Sequence, residues 1–242
     1  MREAVTVLRQ PSLRPRKFVV TVSPRTALIC GVAVSTVLFV VDAVLAVATD
    51  AEAARTSEFV RLFDTGREAN LPTWFSCVVL VAGAAAFAVK AQQERAAGSP
   101  WTRHWAGIAA FFLVLSLDEV AVLHEHTVGP LVEAAEKVGL GGDAARVAAV
   151  LAAAAVLAAT AIPYRRWLPA LPRETRTALV IAAATFVASA LGLEVVSRLT
   201  YERAGRLEGV QPLLSSFEEY GEMLASTAFV VAALRLLGDP VG

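Results

Sequence analysis

The feature that most constrains this chain is a series of six apolar runs, each long enough to cross a bilayer. They lie at about 27–49, 70–89, 105–123, 145–163, 177–196 and 216–237. A hydrocarbon core about 30 Å thick takes about 20 apolar residues in a helix. In lipid only helices and closed barrels satisfy every backbone group, and blocks of this length without strict alternation exclude the barrel. The expectation is an all-α, polytopic integral membrane protein with six transmembrane helices in one bundle. Residues 1–26 form a basic tail, 27–237 the membrane domain and 238–242 a short end. Charged residues make up 18% of the chain and hydrophobic ones 56%, against about 25% and 45–50% in soluble domains. Ala46-Val47-Ala48 has the look of a signal-peptide cleavage site. The run before it is longer than the roughly 7–15 residues of a signal peptide's apolar region, so it reads as an uncleaved first span.

Basic residues orient the bundle. The N-terminal tail and the loops on its side of the membrane carry six, three, four and one of them, and the opposite loops carry three, two and three. This places both termini in the cytoplasm of a multipass cell-membrane protein whose partners include membrane lipids. The formal net charge is zero, which gives no electrostatic case for nucleic acid. Cys30 and Cys77 fall in opposite halves of two apolar runs and read as free thiols.

Local signals fill in the connections. Thr56–Phe63 reads as a short amphipathic helix. Asn70 caps the second span, with Pro72 in its first turn. Gly129-Pro130 and Gly139–Gly142 bracket a small surface helix, and the fourth span stops at Pro163. Trp74, Trp101, Trp105 and Trp167 fit interfacial belts, and His104 an interfacial position away from the acids described next.

Ionisable groups within spans are costly and are functional hypotheses by default. Here nearly all fall at one end of the bundle. Asp42 is late in the first span, and Glu68 lies beside the start of the second. Asp118 and Glu119 are late in the third, before His124, Glu125 and His126. Glu194 is late in the fifth, and Glu218, Glu219 and Glu222 are early in the sixth. Capping boxes at Ser215-x-x-Glu218 and Ser216-x-x-Glu219 would explain two acids structurally, and the helix dipole would favour Glu68. The dipole disfavours Asp118, Glu119 and Glu194, although Arg198 is a ready i,i+4 partner for Glu194. In one continuous helix Asp118 shares a face with Glu125, and Glu119 with His126. Asp42 fits a buried hydrogen-bonding role as well as a functional one.

Carboxylates with imidazole suit a divalent ion such as Zn, Mn or Fe. The candidate ligands are Glu68, Asp118, Glu119, His124, His126, Glu218 and Glu222, with Asp118 and Glu119 as the candidate catalytic pair. The Glu-x-x-His spacing of di-iron bundles is absent. The stretch Glu68-x-Asn70-x-x-Thr73-x-x-Ser76 is faintly similar to membrane hydrolases of the alkaline ceramidase and adiponectin receptor type. That resemblance implies a zinc site of three histidines; the His-x-x-x-His pair is missing here, and no residue is carried over. Three functions follow from the acids. One is a metal-dependent enzyme acting on a lipid-like substrate, in which metal-bound water does the chemistry. The second is a proton- or cation-coupled transporter. The third is a non-catalytic membrane subunit that pairs its acids with a partner.

Overall fold

A computed structural model describes residues 22–49, 56–193 and 210–238. These residues are helical and contain no strand. Among the described residues nine α-helices follow in order: α1 (Pro24–Ala48), α2 (Glu58–Phe63), α3 (Leu71–Ala96), α4 (Thr102–Ala121), α5 (Leu123–Lys137), α6 (Gly142–Ala161), α7 (Trp167–Ala170), α8 (Arg173–Val187) and α9 (Val210–Gly238). A 3-10 turn (Ile162–Arg165) extends α6, and a π-helical segment (Ala188–Leu193) extends α8. Six helices are long and apolar enough to cross a membrane, in the order expected from the sequence. Their outward faces carry exposed Val, Leu, Ile and Phe side chains such as Val37, Val114, Leu151 and Ile181. A lipid solvent accepts that surface.

Span edges differ from the hydropathy reading where polar residues continue a helix. The second span reaches Ala96 because Lys90 and Glu94 pair at 2.9 Å, i to i+4, so the charged turn remains helical. The first starts at Pro24, where the Ser23 side chain accepts from the Thr26 N–H. Asn70 caps α3 as expected, accepting from the Thr73 N–H at 2.9 Å.

α9 is the central helix and packs against α1, α3 and α8. α3 and α4 form the closest pair, an antiparallel hairpin. One end of the bundle is a dense core: Leu80, Ala84, Phe87 and Ala91 of α3, Trp105, Ala109 and Phe112 of α4, Trp167, Leu179, and Ala232, Ala233 and Leu236 of α9. Gly83 admits the Phe112 ring: a Cβ there would lie 2.7 Å from it. Phe112 meets Phe87 at 5.3 Å and Phe229 at 5.1 Å edge-on. α6 stands apart, packing on α5 and its own 3-10 extension and leaving most of its surface uncovered.

Candidate functional site

The end of the bundle opposite the aromatic core holds the acids. Its frame is Asp42, 5% exposed on α1. Asp42 accepts from the Thr65 hydroxyl and the Ser216 hydroxyl, both at 2.6 Å, and from the Thr65 N–H at 3.4 Å. One carboxylate thus ties the 64–70 loop to α1 and α9. Asn70 fastens the same loop from the other side, donating to the carbonyls of Asp64 and Arg67 at 2.6 Å. Asp42 is therefore a structural anchor rather than a member of the acid cluster.

The loop carries Glu68 to the cluster. Glu119 lies within electrostatic reach of Glu68 and Asp118. Glu219 lies within reach of Glu222, Glu119, Glu218 and Glu68, and Glu222 within reach of Glu119, Glu218 and Asp118. Six acids from three elements thus converge, as their shared depth in the sequence implies. Among the described residues, Glu119, Glu219 and Glu222 make no hydrogen bond or ion pair, and their charged neighbours are all acids. Beneath them Cys77 and Ser116 exchange hydrogen bonds with each other's backbone carbonyls, Sγ to O at 3.5 Å and Oγ to O at 3.4 Å. Both cysteines are free thiols.

Four expectations change. The Ser215 and Ser216 capping boxes do not form, because α9 already begins at Val210. Glu218, Glu219 and Glu222 are interior helix residues, beyond the first turn where the dipole favours an acid. α4 and α5 are not one helix. Val122, at φ 50 and ψ 42, ends the span and redirects the chain, so the facing of Asp118 with Glu125 and of Glu119 with His126 does not survive. His126 is exposed on α5, its Nδ1 2.9 Å from the Val122 carbonyl, where it closes the first turn of that helix. The surface helix is not bracketed by Gly129-Pro130; it runs through them from Leu123 to Lys137, with Pro130 inside. The side chains of His124 and Glu125, and all of Glu194 and Arg198, lie outside the described residues.

Backbone irregularities surround the acids, and nothing in composition or periodicity marks them. Ala69, next to Glu68, has φ 60, and Val122, three residues after Glu119, has φ 50. A left-handed conformation costs a residue other than glycine about 1–2 kcal/mol, and such strain gathers at functional sites. The π-helical segment of α8 presses Ser189 against Gly221, which lies between Glu219 and Glu222 in sequence. Ser189 is buried. Among the described residues no group of three or more His, Cys, Asp or Glu side chains is placed to hold a metal ion. The Zn, Mn or Fe reading therefore finds no ligand set in Glu68, Asp118, Glu119, His126, Glu218 and Glu222.

A family model described as "Domain of unknown function (DUF8692)" matches residues 30–237. No curated protein and no solved structure matches the chain.

Proposed function

The chain belongs to that family, and we propose that it is a non-catalytic membrane subunit whose acid cluster receives a basic side chain of a partner helix. The observation that carries this reading is the state of Glu119, Glu219 and Glu222: brought together from two helices, each, among the described residues, with acids alone as charged neighbours. Carboxylates gathered in a low-dielectric setting repel one another and need positive charge to offset their desolvation. A lysine or arginine on a neighbouring helix supplies it. The uncovered α6 supports the same reading. Its exposed alanines, including Ala152, Ala155, Ala158 and Ala159, offer the small surface that lets helices approach closely in lipid. The aromatic core closes the far half of the bundle, which favours a one-sided docking site over a path through the membrane. We place the acid end on the extracytoplasmic side and the termini in the cytoplasm, following the basic residues.

The test uses the full chain in lipid nanodiscs with a synthetic Leu/Ala membrane helix carrying one arginine a turn from its end, or glutamine at the same position. Proximity is read by fluorescence transfer. The expected result is at least about tenfold preference for the arginine helix, lost in the Glu119→Gln/Glu222→Gln double variant. Equal association of both helices overturns the proposal. Elemental analysis of the same samples covers the metalloenzyme reading: near-stoichiometric metal in the wild type, absent from Glu222→Gln, would replace the partner-docking function with that one.

A further inference from the structure

The opposite end of the bundle presents a different chemistry. α7 and the 3-10 turn before it fold back onto the first turns of α4. The Tyr164 hydroxyl donates to the His104 carbonyl at 3.3 Å, and the Trp105 and Trp167 rings meet at 4.8 Å. His104 lies among Trp101 at 5.1 Å, Tyr164 at 5.5 Å and Trp167 at 6.2 Å, with the last ring parallel to its own. Arg103 immediately precedes His104, and Arg165 and Arg166 lie between Tyr164 and Trp167. The aromatic group therefore fixes the backbones of three arginines about one small area. All three are exposed and, among the described residues, none is in an ion pair. Of the acids at this end, Glu94 is held by Lys90 and Glu174 lies on the first turn of α8.

In and beside the same ring group lie buried polar atoms without partners among the described residues. Trp167 is 3% exposed, yet its Nε1–H makes no hydrogen bond, and His104 Nδ1 is likewise unsatisfied. Gln93 Oε1 is a third such atom, on the last turns of α3, which the hairpin places beside the first turns of α4. Unsatisfied buried polar atoms are rare in folded proteins and call for a partner. Here a donor-only indole, an imidazole nitrogen and an amide acceptor ask for a ligand with both acceptor oxygens and a hydroxyl donor.

We infer that Arg103, Arg165 and Arg166, set around the His104–Tyr164–Trp167 rings, form a binding site for the phosphate of an anionic, hydroxyl-bearing phospholipid headgroup such as phosphatidylglycerol. Guanidinium forks match phosphate oxygens in pairs. Aromatic rings with polar edges settle at headgroup depth. The lipid's acyl chains meet the apolar helix faces beside the site, which free phosphate cannot use.

The experiment is native mass spectrometry of the delipidated full-length protein, with melting temperature measured in parallel. The probes are phosphatidylglycerol, phosphatidylcholine and inorganic phosphate. The wild type is expected to retain phosphatidylglycerol at least tenfold more than phosphatidylcholine and to melt higher in its presence. Each basic residue near an anionic membrane contributes about 1 kcal/mol. Arg103→Gln/Arg166→Gln should therefore weaken retention by about thirtyfold. Arg67→Gln, at the acid end, should leave it unchanged. Both arginines are exposed, so the double variant should melt like the wild type without lipid, and that measurement separates lost binding from lost folding. Equal retention of phosphatidylcholine, or undiminished phosphatidylglycerol binding by the double variant, overturns the site. Stabilisation by inorganic phosphate alone, matching that by the lipid, overturns the lipid assignment.

Discussion

Asp42 shows how one residue's role depends on partners far away in the chain. Its three hydrogen bonds come from Thr65 and Ser216, and no local pattern joins those positions. From sequence it is an intramembrane acid with two equal readings; only the folded chain shows that its capacity as an acceptor is used. Asp42→Ala leaves two buried hydroxyls and a backbone N–H without their acceptor. We expect a loss of about 2–3 kcal/mol, read as a lower unfolding midpoint in detergent. Asp42→Asn keeps one acceptor oxygen and should lose less. If the alanine variant unfolds within about 0.5 kcal/mol of the wild type, the loop is held by something else. Glu119→Gln should behave in the opposite way, because it removes like-charge repulsion without breaking a described hydrogen bond. Its stability should equal or exceed that of the wild type in the same assay.

At the scale of elements, hydropathy revealed the spans because each must be apolar over its whole length. It did not reveal where they break. Val122 is a β-branched residue in a left-handed conformation, a position normally taken by Gly or Asn; the hydropathy reading ends the span at about Leu123 but carries no sign of this left-handed turn. The Ser215-Ser216 pair looked like a helix start because serine is a good cap. Pro212, in the first turn of α9, was the better signal. Glycines separate packing from propensity in the same way. Gly83 lies where Phe112 comes closest, and Phe112 is wedged between Phe87 and Phe229. Gly83→Ala should therefore force α3 and α4 apart and cost about 1–3 kcal/mol. Gly129 lies inside α5 with nothing within 4 Å of an added Cβ, so Gly129→Ala should gain about 0.5–1 kcal/mol from helix propensity alone. Unfolding of both variants in detergent tests the contrast. Equal effects would mean that the close approach of Phe112 does not limit the α3–α4 interface.

At the scale of the whole molecule, the described intramembrane acids and the arginines around the aromatic core lie at opposite ends of the bundle. Glu68, Asp118, Glu119, Glu218, Glu219 and Glu222 gather at one end. Arg95, Arg103, Arg165, Arg166 and Arg173 lie at the other, around the aromatic core. The convergence of acids was legible in sequence because alternating helix directions bring alternate span ends to a common depth. Their exact company was not, because it depends on the loop anchored by Asp42 and on the breaks at Ala69, Val122 and the π-helical segment. The axial division also makes the proposed orientation testable, since loops richer in basic residues favour the cytoplasmic side. On a Cys30→Ala/Cys77→Ala background, Arg61→Cys places a thiol on α2 at the acid end, and Arg95→Cys places one at the basic end. Both positions are exposed. A membrane-impermeant maleimide should label Arg61→Cys in intact cells and Arg95→Cys only after permeabilisation. The reverse pattern would turn the acid cluster toward the cytoplasm. A partner's basic residue would then have to reach it from that side, and the arginine site would contact the outer leaflet, where anionic headgroups are scarcer and the proposed lipid would have less opportunity to bind.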